Sequence, residues 1–150
     1  MQIRFKSIFI LLFALCVMTI SCKKEKIEIS TTPEIKLVEV SPNPIREYKD
    51  KVVFNIYYKD GDGDIGENAD AIKNLFITDS RNNITYQFRV KQLAPSNAGV
   101  AIEGNLLVEL NSAAILNGSN SQAVEYSIYL KDRAGNISNT VTSSGITIVK

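Results

Sequence analysis

The chain has 150 residues, enough for one domain of ordinary size, and carries 17 Lys and Arg residues against 16 Asp and Glu residues. This balance creates no basic field, so we expect no nucleic-acid partner. The sequence contains no His, which excludes His-dependent nucleophilic catalysis and imidazole-bound zinc. We expect a protein that is not an enzyme.

The N-terminus has the pattern of an export signal. Arg4 and Lys6 precede an apolar run over residues 8–20, which is too short for a membrane-spanning helix and suits the core of a signal peptide. Residues 1–21 are therefore predicted to be a cleaved signal peptide.

Cys22 follows this run directly and is preceded by the small residue Ser21 in "TISC". This stretch resembles the lipobox of bacterial lipoproteins, in which the cysteine receives fatty acyl chains such as palmitate. The resemblance implies that Cys22 is lipidated and anchors the chain to a membrane.

Residues 22–34 are charged, then rich in Ser and Thr, and include Pro33 near their end, so they are predicted to be a flexible tether that begins at the lipidated cysteine. The run of lysines and an acid in "CKKEK" resembles Bacteroidetes-type bacterial lipoproteins. That resemblance implies a lipid anchor in the outer membrane, with the side of the membrane left open.

Residues 35–150 have the alternation of apolar and polar residues that is typical of β-strands. The segment 111–118 favours a short helical link, because Asn111 or Ser112 can cap it and Gly118 can end it. The links between strands are too short for crossover helices, so an antiparallel β-sandwich is predicted, with a barrel as the alternative. About seven strands are predicted, over residues 35–40, 52–59, 74–79, 84–91, 105–110, 124–132 and 140–149.

The segment 124–148 resembles the last two strands of fibronectin type III and immunoglobulin-like domains of bacteria. The resemblance rests on Tyr126 early in one strand and on the turn "DRAGN" from Asp132 to Asn136. It implies an immunoglobulin-like sandwich in which the Tyr126 hydroxyl bonds to the backbone of the preceding corner.

Three aspartates alternate with glycines in "DGDGD", from Asp60 through Asp62 to Asp64. Calcium favours carboxylate oxygens on flexible, glycine-punctuated loops, whereas magnesium requires a stricter octahedron. The spacing matches the start of an EF-hand loop, but Ile65 and Ala71 replace the Gly and Glu that an EF-hand requires, so an EF-hand is excluded.

In an immunoglobulin-like sandwich the loop after the second strand and the turn after the sixth lie at the same end. We therefore expect one shared Ca²⁺ site, with Glu67 or Asp70 as further oxygen donors. The alternative is a solvated acidic turn without an ion. The predicted ligands are Asp60, Asp62, Asp64, Asp132 and Asn136.

These features predict a membrane-anchored lipoprotein of the cell envelope that acts as a non-catalytic binding or accessory module for a protein or glycan ligand. Two alternatives stay open. One is an adhesin or a subunit of a surface assembly. The other is a carbohydrate-binding module, which would bring aromatic side chains such as Tyr57 and Tyr129 onto one exposed face.

Overall fold

The computed structural model describes residues 29–150, so the predicted signal peptide 1–21 and Cys22 lie outside it. The described residues form ten β-strands and no helix. No helix among them is long and apolar enough to cross a membrane. The strands are β1 (Glu34–Ser41), β2 (Ile45–Arg46), β3 (Val52–Asp60), β4 (Leu75–Asp79), β5 (Thr85–Phe88), β6 (Ile102–Leu110), β7 (Ser121–Val124), β8 (Tyr126–Leu130), β9 (Val141–Thr142) and β10 (Ile146–Val149).

The strands form three sheets, with the orders β1-β3-β6, β2-β10-β7 and β5-β4-β8-β9. Their pairs are antiparallel except for the two-residue pairing of β2 with β10, which is parallel. One hydrophobic core joins the sheets, with Phe54, Ile77 and Ile128 fully buried at its centre. The predicted all-β sandwich is thus confirmed.

The strand count exceeds the seven predicted because β2 and β7 were not predicted and because the strand predicted over residues 140–149 is divided into β9 and β10. Between β7 and β8, Glu125 leaves the ladder and its carbonyl accepts a hydrogen bond from the Ser80 amide at 3.0 Å. Between β9 and β10, the Ser143 hydroxyl accepts a hydrogen bond from the Tyr126 amide at 2.9 Å. A side chain inserted into a ladder ends regular pairing, and alternation alone does not reveal it.

Inward-facing residues follow the predicted alternation along β3, where every second residue from Val52 to Asp60 is buried. Because Asp60 continues this face, its carboxylate enters the sandwich with no exposed surface. Alternation along the strand predicted over residues 84–91 would place Ile84 on the inward face with Tyr86 and Phe88, and this expectation is wrong. Ile84 lies in the turn before β5 and is 51% exposed.

The helical link predicted for residues 111–118 is also wrong. The backbone groups of this segment bond to partners elsewhere in the chain: the Ala113 carbonyl accepts from the Tyr48 amide at 3.1 Å, and the Ile115 amide donates to the Glu47 carboxylate at 2.8 Å. These tertiary bonds replace the hydrogen bonds that one or two turns of helix would make.

Residues 29–33, at the end of the predicted tether, contact the sandwich. The Ser30 carbonyl accepts a hydrogen bond from the Gly61 amide at 2.8 Å, and Pro33 is buried. The chain therefore meets the acidic loop before it enters β1.

Candidate metal centre

Asp60, Asp62 and Asp64 form a compact carboxylate group at the end of β3. One carboxylate oxygen from each residue lies within 4.8 Å of the other two. Asp60 is held in place as the last residue of a buried strand, while Asp62 and Asp64 belong to the loop that follows. All of the atoms that could bind a metal ion here are carboxylate oxygens, which suits a hard cation such as Ca²⁺.

The tight loop depends on Gly63. This residue has φ +73°, a left-handed conformation that other residues rarely adopt, and a Cβ there would overlap the carbonyl oxygen of Val100. The alternation of aspartate with glycine therefore reflects local geometry as well as charge.

Each aspartate of the group keeps one buried oxygen without a partner. The second oxygen of Asp60 accepts from the Asp64 amide at 2.9 Å, and the second oxygen of Asp64 accepts from the Ala134 amide at 2.9 Å. The Oδ1 atoms of Asp60, Asp62 and Asp64 are all buried and find no hydrogen-bond donor within residues 29–150. A buried anionic oxygen without a partner costs free energy, so three together require compensation.

The electrostatics agree with this geometry. Burial raises the pKa of Asp60, and the charges of Asp62, Asp64 and Asp132 raise it further against one lowering amide hydrogen bond. Burial also raises the pKa of Asp64, with additional repulsion from Asp132 and Asp62. Two carboxylates about 4 Å apart repel by about 4 kcal/mol near a protein surface. A divalent cation between them would reverse the sign of that interaction.

The turn after β8 contacts the acidic loop, as expected from the prediction that the two lie at the same end of the sandwich. The Arg133 amide donates to the Asp64 carbonyl at 3.2 Å, and the Arg133 guanidinium donates to the Gly66 carbonyl at 2.8 Å. This turn therefore contacts the loop through hydrogen-bond donors, while the charge of Asp132 acts on Asp60 and Asp64 without a direct hydrogen bond.

Asp132 is not among the carboxylates that lie within 4.8 Å of one another, and it is hydrogen-bonded to Asn136. Asp132 is 6% exposed, and its two oxygens accept from the Asn136 amide at 2.7 Å and the Asn136 side-chain amide at 2.8 Å. The two side chains thus satisfy each other and close their own turn. Of the five predicted ligands, the structure groups Asp60, Asp62 and Asp64, and the shared site with Asp132 and Asn136 stays a prediction.

The two further oxygen donors considered from the sequence are also engaged elsewhere. The Glu67 carboxylate accepts from the amides of Asn68 and Ala69, and Asp70 forms an ion pair with Arg89 at 2.8 Å.

The predicted corner bond of Tyr126 is absent. The Tyr126 hydroxyl is buried without a hydrogen-bond partner in the described part of the chain. Its ring packs edge-on against Phe54, with centroids 5.2 Å apart. Burial raises its pKa to about 12, and the nearby charge of Asp79 adds to the rise. The Asp79 carboxylate accepts no hydrogen bond from the phenol and is paired instead with Arg81 at 2.6 Å.

Sequence reasoning did not identify Arg133 or the approach of residues 29–30 as parts of this site. An arginine inside a turn that faces an acidic loop was the available signal for Arg133. No periodicity marks residues 29–30, because their contact with Gly61 is made by backbone atoms.

The aromatic pair considered for glycan binding does not converge. Tyr57 lies on β3 and its hydroxyl donates to Glu103 at 2.8 Å, whereas Tyr129 lies on β8 and stacks on Phe76 at 4.8 Å. The two rings therefore belong to different sheets.

Comparisons with protein families, with curated proteins and with solved structures find no match to this chain.

Proposed function

We propose that this chain is a lipid-anchored, non-catalytic binding or accessory module of the cell envelope, and that Ca²⁺ stabilises one end of its sandwich. The observation that carries the calcium site is the set of three buried Oδ1 atoms without donors, on Asp60, Asp62 and Asp64. The lipid anchor is supported by the sequence around Cys22.

The geometry favours a structural role for the ion over a catalytic one. The unpartnered oxygens are buried, although Asp62 and Asp64 also line a neighbouring groove of about 390 Å³. We infer that the main effect of a cation bound to these buried oxygens is to offset their repulsion in the folded state.

The alternative role as an assembly subunit would use an exposed sheet edge. β6 lies at the edge of the sheet β1-β3-β6, and Leu107 on it is 71% exposed. Glu103 and Glu109 lie on the same strand face as Leu107, and charges at an edge oppose strand addition. The binding or accessory role therefore stays our proposal.

Thermal unfolding of the full chain in detergent micelles, with millimolar Ca²⁺ or with a chelator, tests the calcium site. Affinities of extracellular calcium modules are on the order of 10⁻⁴–10⁻³ M, so about 10 mM Ca²⁺ is a tenfold to hundredfold excess over Kd and stabilises the folded state by about 1.4–2.7 kcal/mol. We expect Ca²⁺ to raise Tm by several degrees, and Asp62→Asn with Asp64→Asn to abolish the increase.

The matched control is the double variant Glu67→Gln and Asp70→Asn. It removes the same charge from the neighbouring segment and should keep the Ca²⁺-induced increase in Tm. A Tm that does not respond to Ca²⁺ in the unmutated chain would leave the aspartates as a solvated turn. An increase that both double variants lose equally would show a general charge effect.

A further inference from the structure

Arg133 connects the turn after β8 to the loop that carries Asp62 and Asp64. Its guanidinium donates to the Gly66 carbonyl at 2.8 Å and to the Gly63 carbonyl at 3.5 Å, and its amide donates to the Asp64 carbonyl at 3.2 Å. The next amide in the chain, that of Ala134, occupies Oδ2 of Asp64 at 2.9 Å. Together these bonds fix both the backbone and the carboxylate orientation of Asp64.

The consequence for Asp64 is specific. Because Oδ2 is held by Ala134, the carboxylate cannot rotate freely, and its Oδ1 stays buried without a donor in a group whose carboxylates lie within 4.8 Å of one another. A ligand that is already oriented binds a cation without first losing conformational freedom.

The charge of Arg133 acts in the opposite direction. Arg133 takes part in none of the ion pairs formed within residues 29–150, and its guanidinium bonds to carbonyl groups. A guanidinium near a divalent cation repels it, so a purely electrostatic Arg133 would weaken cation binding. If the hydrogen bonds of Arg133 dominate, its replacement by a neutral residue should weaken cation binding. If its charge dominates, the same replacement should strengthen binding.

We infer that Arg133 is a positioning residue of the cation site, which orients the loop 63–66 and Asp64 for binding although it touches no cation itself. This inference rests on the proposed calcium site. It assigns to the turn after β8 the role of holding the loop through hydrogen-bond donors, a role that the sequence did not predict.

The test measures the Kd for Ca²⁺ by calorimetry on the full chain in detergent micelles, for the unmutated chain, Arg133→Lys and Arg133→Gln. Lysine keeps the charge but cannot span two carbonyl groups, and glutamine removes the charge. We expect both variants to bind Ca²⁺ about tenfold more weakly, which corresponds to the loss of a charge-assisted hydrogen bond. We also expect the Ca²⁺-induced increase in Tm to shrink in both.

Arg89→Gln is the matched control. Arg89 also donates to a backbone carbonyl, that of Asn68 at 2.8 Å, in the segment that follows the loop. Its loss should leave the Kd for Ca²⁺ unchanged.

Three results would overturn the inference. Tighter binding by Arg133→Gln with unchanged binding by Arg133→Lys would mean that Arg133 acts through charge alone. A Tm lowered equally with and without Ca²⁺, at unchanged Kd, would mean that it only supports the fold. Absence of Ca²⁺ binding by the unmutated chain would remove the calcium site and this inference together, whereas the first two results would leave the calcium site standing.

Discussion

Tyr126 places a phenol hydroxyl in the core without a hydrogen-bond partner among residues 29–150. A buried polar group left unpaired costs about 1–3 kcal/mol, and its removal recovers part of that cost. We therefore expect Tyr126→Phe to leave the free energy of unfolding unchanged or to raise it by about 1 kcal/mol, as measured by urea denaturation.

The control for this substitution is Tyr57→Phe, which removes a hydroxyl that is bonded to Glu103 at the surface. If Tyr126→Phe lowered the midpoint of unfolding instead, the hydroxyl would have a partner, and the corner bond expected from the sequence would regain support.

At the scale of single residues, the sequence identified the three aspartates because they are adjacent along one loop. It could not show how Asp132 is used. Asp132 has the expected inward position and burial, but Asn136, four residues further on, occupies both of its oxygens. Which partner a carboxylate takes depends on side-chain rotamers, which residue spacing does not specify.

At the scale of elements, strands with strict alternation were predicted well, and their ends were not. β3 follows the predicted pattern closely because one face of it is buried along its whole length. The interruptions at Glu125 and Ser143 depend on hydrogen bonds to residues far along the chain. Tertiary bonds of this kind override local preference, as they also do in residues 111–118.

Gly61 is the point where the segment 29–30 meets the acidic loop. A Cβ at this position would overlap the carbonyl oxygen of Ile29 and lie 2.6 Å from that of Ser30, and backbone atoms cannot turn aside as a flexible side chain can. We expect Gly61→Ala to destabilise the domain by about 1–3 kcal/mol, the usual range for overpacking, in urea denaturation.

Gly145→Ala is the matched substitution, since no atom lies within 4 Å of a Cβ there. It should leave stability unchanged or raise it by less than about 1 kcal/mol. Equal stabilities of the Gly61 and Gly145 variants would mean that residues 29–30 do not pack on the loop in solution.

At the scale of the whole molecule, the contact of Ser30 with Gly61 limits how far the sandwich can lie from an anchor at Cys22. Ile29 lies seven Cα-to-Cα steps after Cys22, and an extended chain spans at most about 3.5 Å per step, or about 25 Å in all. If Cys22 carries the lipid, the end of the sandwich that holds the three aspartates is the end nearest the membrane.

The lipid anchor itself stays a prediction from the sequence, because Cys22 lies outside the described residues. Each buried CH₂ of an acyl chain contributes about 0.8 kcal/mol, and more than one chain is needed for stable anchoring. We therefore expect Cys22→Ala to abolish incorporation of labelled palmitate and to leave the protein unprocessed or released from the membrane fraction. Cys16→Ala is the control, because Cys16 lies within the predicted signal peptide and its loss should change neither result. Acyl label incorporated by the Cys22 variant at the level of the unmutated chain would refute the anchor, and with it the proposed orientation of the cation site towards the membrane.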